Sequence, residues 1–221
     1  LKNLTQEQLT ELESQLSHPN GKFGLEVAEN MHSTNIGMTT SAINALEISD
    51  HNKVLEIGHG SCQHLPLILE KAEGITFYGL EISETMKTQA ELKNEVYLKN
   101  QTAEFKLYDG ESIPFSDNFF DKAMTVNTLY FWKHPLQFLE EVYRVMKPKG
   151  VFTISFAQKE FMKHLPFVKD KFSLYSNQDV SDLVAKSSFD LINIYDKTET
   201  VTGNAGELVN RNYAVAVLAR K

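Results

Sequence analysis

The chain has 221 residues, with 22 Lys and Arg against 29 Asp and Glu, a net charge of −7 with the histidines neutral. Hydrophobic residues at 42% and charged residues at 23%, with 11 Gly and 6 Pro, describe one globular domain and exclude disordered, collagenous and fibrous chains. The acidic balance without a basic stripe argues against a nucleic-acid partner, and the lone Cys62 allows no internal disulfide, which suits a reducing compartment.

The opening residues LKNLTQEQLTELESQL lack the basic stretch and apolar run of a secretory leader, and no apolar run approaches the roughly 20 residues of a membrane span. A cytoplasmic protein with no membrane span is expected. Thr5 followed by Gln8 reads as a capping box, and Leu9, Leu12 and Leu16 recur as one helical stripe that ends before His18-Pro19-Asn20-Gly21. The stretch 24–46, carrying Met31, Ile36, Met38, Ile43 and Leu46, reads as two short helices broken near Asn35 or Gly37. Residues 1–50 therefore form a helical cap on a core of residues 51–221, and the whole is one domain.

From residue 53 short apolar runs alternate with helical stretches, the pattern of βαβ units around a parallel sheet. Strands are expected at 53–57, 75–81, 103–108, 120–127 and 150–156. A helix is expected at about 63–71, and another starts at Pro135, buries Leu136, Leu139, Val142, Tyr143 and Met146, and stops at Lys147-Pro148. Beyond Phe156 a loop or helix spans 161–172, a helix spans 180–187, and two extended runs, 191–201 and 212–219, are joined by the turn residues 202–206 as an antiparallel return. The fold class is α/β: a doubly wound, Rossmann-like, mostly parallel seven-stranded sheet with an antiparallel last strand.

The strongest local signal is VLEIGHGSC at 54–62, an apolar strand running into a glycine turn that opens a helix. Glu81 ends the next strand about 20 residues beyond the first glycine, the spacing of a carboxylate that binds a ribose diol. Two ligand classes use such a turn. A dinucleotide brings a pyrophosphate and favours a third glycine where this chain has Gln63, so that fingerprint is incomplete. S-adenosylmethionine brings an ammonium and a sulfonium instead, which gives the carboxylate of Glu56 beside the turn an electrostatic reason to be there.

Four segments in this order, VLEIGHG at 54–60, YGLEIS at 78–83, YDGESIPFSDNFFD at 108–121 and EEVYRVMKPKG at 140–150, resemble the class I S-adenosylmethionine-dependent methyltransferases, in particular the type 11 group that includes the ubiquinone and menaquinone biosynthesis enzymes. The resemblance spans about residues 30–160. It implies that Gly58 and Gly60, with the backbone of His59, face the methionine portion of the donor. Glu81 would face the ribose hydroxyls, Asp109 and Gly110 the adenine edge, and Asn127 with Leu129 the region below the sulfonium, with Ile82 and Glu111 as further donor-binding residues. Two departures stand out: Cys62 replaces a common third glycine, which denies the loop free use of positive φ, and Lys149 replaces a glycine in a solvent-facing turn.

Methyl transfer is an in-line displacement, so the protein has mainly to align donor and acceptor and exclude water. For an acceptor that must lose a proton, Tyr130 and His134 in NTLYFWKH at 127–134 are the candidate catalytic residues. The imidazole of His59 is expected to be exposed, His64 to lie on a helix surface or rim, Met31 and Met38 to pack a core or a lid. The seven histidines lack paired metal-ligand spacing, so no metal is expected. The activity implied is methyl transfer to a small, partly apolar acceptor entering between the cap, residues 130–134 and residues 161–175. A non-catalytic S-adenosylmethionine-binding protein and a nicotinamide-dependent oxidoreductase are the alternatives. Composition and motifs leave the acceptor and the oligomeric state open.

Overall fold

A computed structural model describes residues 4–202 and 208–221. Helix α1 (Gln6–Ser17) starts at the expected capping box: the Thr5 hydroxyl accepts from the Gln8 amide at 3.2 Å and the Gln8 side chain accepts from the Thr5 amide at 2.8 Å. Helix α2 (Gly21–Ala45) then runs unbroken through Asn35 and Gly37, correcting the expectation of two short helices. An interior glycine costs a helix about 1 kcal/mol relative to alanine, and tertiary contacts supply the compensation here. The missing Cβ of Gly37 lets the Glu199 carboxylate approach the helix backbone. Arg211, paired with that carboxylate at 2.7 Å, donates to the Asn35 side chain at 2.8 Å and to the Thr34 carbonyl.

The core follows as β1 (Lys53–Ile57), α3 (Leu65–Leu69), β2 (Thr76–Glu81), α4 (Glu84–Lys93), α5 (Glu95–Lys99), β3 (Ala103–Leu107) and β4 (Phe120–Val126). After a 3₁₀ turn (Leu129–Phe131) come α6 (Pro135–Val145), β5 (Met146–Ala157), α7 (Lys159–Met162), α8 (Asn177–Val184), β6 (Phe189–Thr202) and β7 (Leu208–Arg220). The seven strands lie in the order β3-β2-β1-β4-β5-β7-β6, with β7 antiparallel to both neighbours and the other six parallel, the fold class expected. Most of the joining turn, residues 203–207, lies outside the described residues. Among the described residues no helix is long and apolar enough to cross a membrane.

Central strands read as continuous apolar runs because helices cover both faces of the sheet. One layer buries Leu55, Ile57, Phe120, Phe152 and Ile154 under α6 and α8. The other buries Val54, Phe77, Phe105 and Met124 under α2, α3 and α4. The edge strand β6 has charged and largely exposed residues, which keep a long edge from pairing with another chain. Gly79 in β2 shows how tightly the second layer is packed. A Cβ there would stand 2.6 Å from the His59 ring and 2.7 Å from the Phe105 ring, both buried. Gly79→Ala is therefore expected to lower stability by about 1–3 kcal/mol through overpacking, read as a reduced denaturant midpoint at unchanged slope.

The element ends were less legible. β5 begins at Met146 because the chain re-enters the sheet directly after α6 and passes the exposed turn at Lys149 (φ +66°) before its main register with β4. α8 starts three residues early, at a second capping box between Ser176 and Asp179. α3 is a short helix of 5 residues because the preceding loop consumes residues 58–64 in building the site.

Candidate active site

Strand order reverses at β1, which lies between β2 and β4, and the crevice outside the carboxyl ends of these strands is where open α/β sheets bind ligands. A cavity of about 170 Å³ lies there, roofed by the cap. Its floor is the loop after β1. Gly58 (φ +72°), Gly60 (φ +56°) and Cys62 (φ +48°) all take the left-handed region, so Cys62 adopts the very conformation its side chain was expected to deny it. The compensation is local: the Asn94 amide donates to the Cys62 carbonyl at 3.0 Å, and the thiol is buried in the layer under α3. Gly58 leaves no room for any other residue, because a Cβ would run into the Thr128 methyl.

Glu81, 5% exposed at the end of β2, is oriented by three backbone amides. Oε2 accepts from Gly60 at 3.0 Å, and Oε1 accepts from Ile82 at 2.8 Å and Ser83 at 3.0 Å. About one of its four acceptor positions remains for a ligand. Glu56, 2% exposed at the end of β1, accepts from His64 Nε2 at 2.7 Å. His64 is thus neither surface nor rim: the loop folds back and buries it beside the strand, 7% exposed. Burial alone would depress this imidazole, but the charge and hydrogen bond of Glu56 outweigh it and raise its pKa. His59 is likewise buried, contrary to expectation. Its ring packs on Phe105 at 4.9 Å, Nδ1 bonds the Gly60 carbonyl at 2.8 Å, and burial lowers its pKa.

The cavity brings together Glu56, Gly58, His59, Gly60, Glu81, Ile82, Gly110 and Asn127 of the residues expected to hold a donor. It does not bring in the other three, Asp109, Glu111 and Leu129, nor the candidate catalytic residue His134. Asp109 is exposed and caps its own turn, accepting from the Glu111 amide at 2.8 Å and the Ser112 amide at 2.6 Å, bonds that hold its carboxyl below the ordinary range. Glu111 is exposed and pairs with Lys133 at 3.1 Å. Leu129 is fully buried in the core beneath the cavity. His134, at the start of α6, is exposed and lines no cavity described here.

Tyr130 sits behind Asn127. Its hydroxyl donates to Asn127 Oδ1 at 2.9 Å and receives the Ala157 amide at 2.5 Å, and burial raises its pKa far above that of a free phenol. A phenol so held keeps its proton at neutral pH; it also lines the second cavity described below, and its hydroxyl holds the side chain of Asn127, which takes a left-handed backbone (φ +58°) at the cavity wall.

Sequence reasoning expected a helical cap with Met31 in a core or a lid, but missed the cap's polar residues at the cavity. Met31, His32, Asn35 and Thr39 from one face of α2 line the cavity, with Leu16 and Pro19 from α1 and its following turn. Polar residues repeating every three or four positions on an otherwise apolar helix face were the available signal. The Ser83 hydroxyl, bonded to the Pro19 carbonyl, ties this roof to the end of β2. Spacing also hid a cluster of Glu56, Cys62 and His64, whose possible ligand atoms lie within 4.8 Å of one another. Glu56 and His64 already satisfy each other. Burial, reinforced by Glu56 and Glu81, pushes the Cys62 thiol up and keeps it protonated.

A second cavity of about 140 Å³ adjoins the first, sharing Leu16, Met31, Asn35, Asn127 and Phe131 with it. Its far wall is Phe161, Met162, Leu165, Phe167 and Phe172, from the stretch whose structure the sequence left undecided.

Residues 55–154 match the family model of the methyltransferase domain (Methyltransf_11). These residues carry the methyltransferase domain. An uncharacterized methyltransferase, YdaC of Bacillus subtilis, is 25% identical over 118 residues, 53% of this chain and 63% of its own, so the chain spans less than two thirds of that relative. A chain of the complex between the Haloferax volcanii Trm112 methyltransferase activator and a methyltransferase superposes with a TM-score of 0.70 at 17% identity, covering 88% of this chain and 93% of that one. The (4+2)-cyclase SpnF superposes with a TM-score of 0.67 at 14% identity over 98% and 96% of the two chains. Both likenesses are of fold.

The family's donor is S-adenosylmethionine, and the methyltransferase cavity fits it. Among the described residues two carboxylates and no lysine or arginine line it, a setting that favours an ammonium and a sulfonium and supplies no cationic side chain of Lys or Arg to a pyrophosphate. Glu56 would face the ammonium, Glu81 the ribose, and Ile82, Tyr108 and Gly110 the adenine.

Proposed function

We propose that the chain transfers a methyl group from S-adenosylmethionine to a small, partly apolar acceptor seated in the second cavity. The continuity of that aromatic-walled cavity with the acidic donor cavity carries the reading. When bound, the donor supplies an electrophilic methyl group on sulfur. The chain's own residues orient and enclose. Glu56 and Glu81 neutralise and hydrogen-bond the donor, the α1–α2 roof excludes water, and Asn127 and Phe131, common to both cavities, form the boundary the methyl group crosses. His134 lines neither cavity and Tyr130 is held as a protonated phenol, so this reading assigns neither as a base.

Calorimetry with S-adenosylmethionine and with NADH tests the donor half: saturable binding of the first and none of the second is expected, and the reverse result ends the reading. Transfer of a labelled methyl group to fractionated small-molecule pools tests the other half. A chain that binds the donor yet labels no pool would be a non-catalytic binder.

Tyr130→Phe is expected to cost about 1–3 kcal/mol of stability, because the buried Ala157 amide loses its close partner and keeps only Asn127 Oδ1 at 3.4 Å. It should also lower kcat with little change in the donor's Kd and none in the pH profile. A profile that loses a limb would return Tyr130 to proton transfer.

A further inference from the structure

His64 stands outside every role assigned above, yet it is buried in the wall of the donor cavity with its Nε2 on Glu56. We propose that His64 is the positioning residue of the donor's ammonium seat: in its neutral form it holds Glu56 by one carboxylate oxygen and leaves the other free, and its protonation weakens donor binding. The proposal rests on the reading of this cavity as a seat for S-adenosylmethionine.

A bond from Nε2–H to Oε2 fixes the rotamer of Glu56, which lines the cavity near the end of β1, and leaves the second oxygen, Oε1, for which no bond is seen among the described residues, to a ligand. A neutral imidazole leaves the pair with a net charge of −1, which attracts a ligand carrying an ammonium and a sulfonium. An imidazolium makes the pair neutral and places a cation beside the incoming cation. Donor binding and proton binding at this pair are therefore antagonistic, and by linkage the donor expels the proton.

The surroundings keep the switch at His64. From β1 it faces Glu56, and from its own loop His59 and Cys62, with Glu81 of β2 across the turn. From α2 it faces His32, whose ring stacks on it at 6.3 Å and 17°. Behind His32 stand Glu29, also of α2, and Lys93 of α4, which pair with each other at 3.4 Å. Burial, helped by His64, lowers the pKa of His32, and burial lowers that of His59, so both are neutral where His64 titrates.

The test measures the Kd of S-adenosylmethionine by calorimetry between about pH 5.5 and 7, where the donor's own amino group stays protonated. The wild-type Kd should rise as pH falls, by up to about tenfold per pH unit, with protons released on binding. His64→Gln keeps an N–H for Glu56 without a titrating group, so it should bind at pH 7 within about threefold of wild type and lose the pH slope. His64→Ala should bind weakly at every pH. In the wild type, the His64 ring resonances followed by NMR should titrate at a lower pH with the donor bound, a readout that needs no variant to fold. A flat wild-type profile, an undiminished slope in His64→Gln, or an unmoved titration would overturn the proposal while leaving the donor reading intact. No donor binding at any pH would overturn both.

Discussion

Glu81→Ala should raise the Kd for S-adenosylmethionine about 100-fold, equivalent to about 2.7 kcal/mol, the range expected when a charged hydrogen-bonding partner is removed from a buried site. Two losses combine. The ribose loses its acceptor, and the amides of Gly60, Ile82 and Ser83 lose the carboxylate that now orients them, so the glycine loop itself relaxes. Glu81→Gln separates the two. Its one oxygen still accepts from Ile82 and Ser83, while its amide meets the Gly60 N–H donor to donor, and about a tenfold weakening follows. Calorimetry on both variants, with circular dichroism to confirm folding, checks this. An alanine variant that binds within about threefold of wild type would remove Glu81 from the donor seat.

Phe120→Ala is expected to destabilise the protein by about 3–5 kcal/mol, a large share of the roughly 5–15 kcal/mol that holds a domain together. Phe120 opens β4, is fully buried, and meets Tyr78 at 5.4 Å and Phe115 and Phe119 at 4.9 Å, all edge to face. This cluster plugs the amino-terminal end of the sheet, opposite the site. The midpoint of thermal unfolding should fall by about 10 °C, while the folded fraction binds the donor as wild type does. A change below 1 kcal/mol would mean that the neighbouring rings collapse into the space.

The contrast between the two ends of the sheet explains what could be read in advance. Strands β1 to β4 were legible because each is a short apolar run closed by turn residues, and burial on both faces admits few other patterns. Glu56 and Glu81 were legible for the same reason: a carboxylate closing an apolar strand is locally anomalous, and the glycine turn between them explains the anomaly. Asp109 was less so, since a polar residue after a strand is equally what a solvent-facing turn uses, and here it caps that turn.

The cap was misread because local propensity was asked to decide a tertiary matter. Gly37 weakens an isolated helix, and no pattern within residues 24–46 reveals that Glu199 and Arg211, more than 150 residues later, occupy the space its missing side chain leaves. His64 was misplaced in a similar way. Its neighbours predict a helix start on the surface, and only the fold of the loop shows that the ring turns inward to Glu56.

The order of apolar runs and glycine turns, by itself, determined the α/β class, the strand positions and the two carboxylates, because burial on both faces of a parallel sheet imposes a periodicity that a chain carries in its own residues. The tertiary structure decided which residues share the cavity, the path of the cap over it, and the burial of His59 and His64. Those depend on contacts between residues far apart in the chain, whose energies no local spacing records.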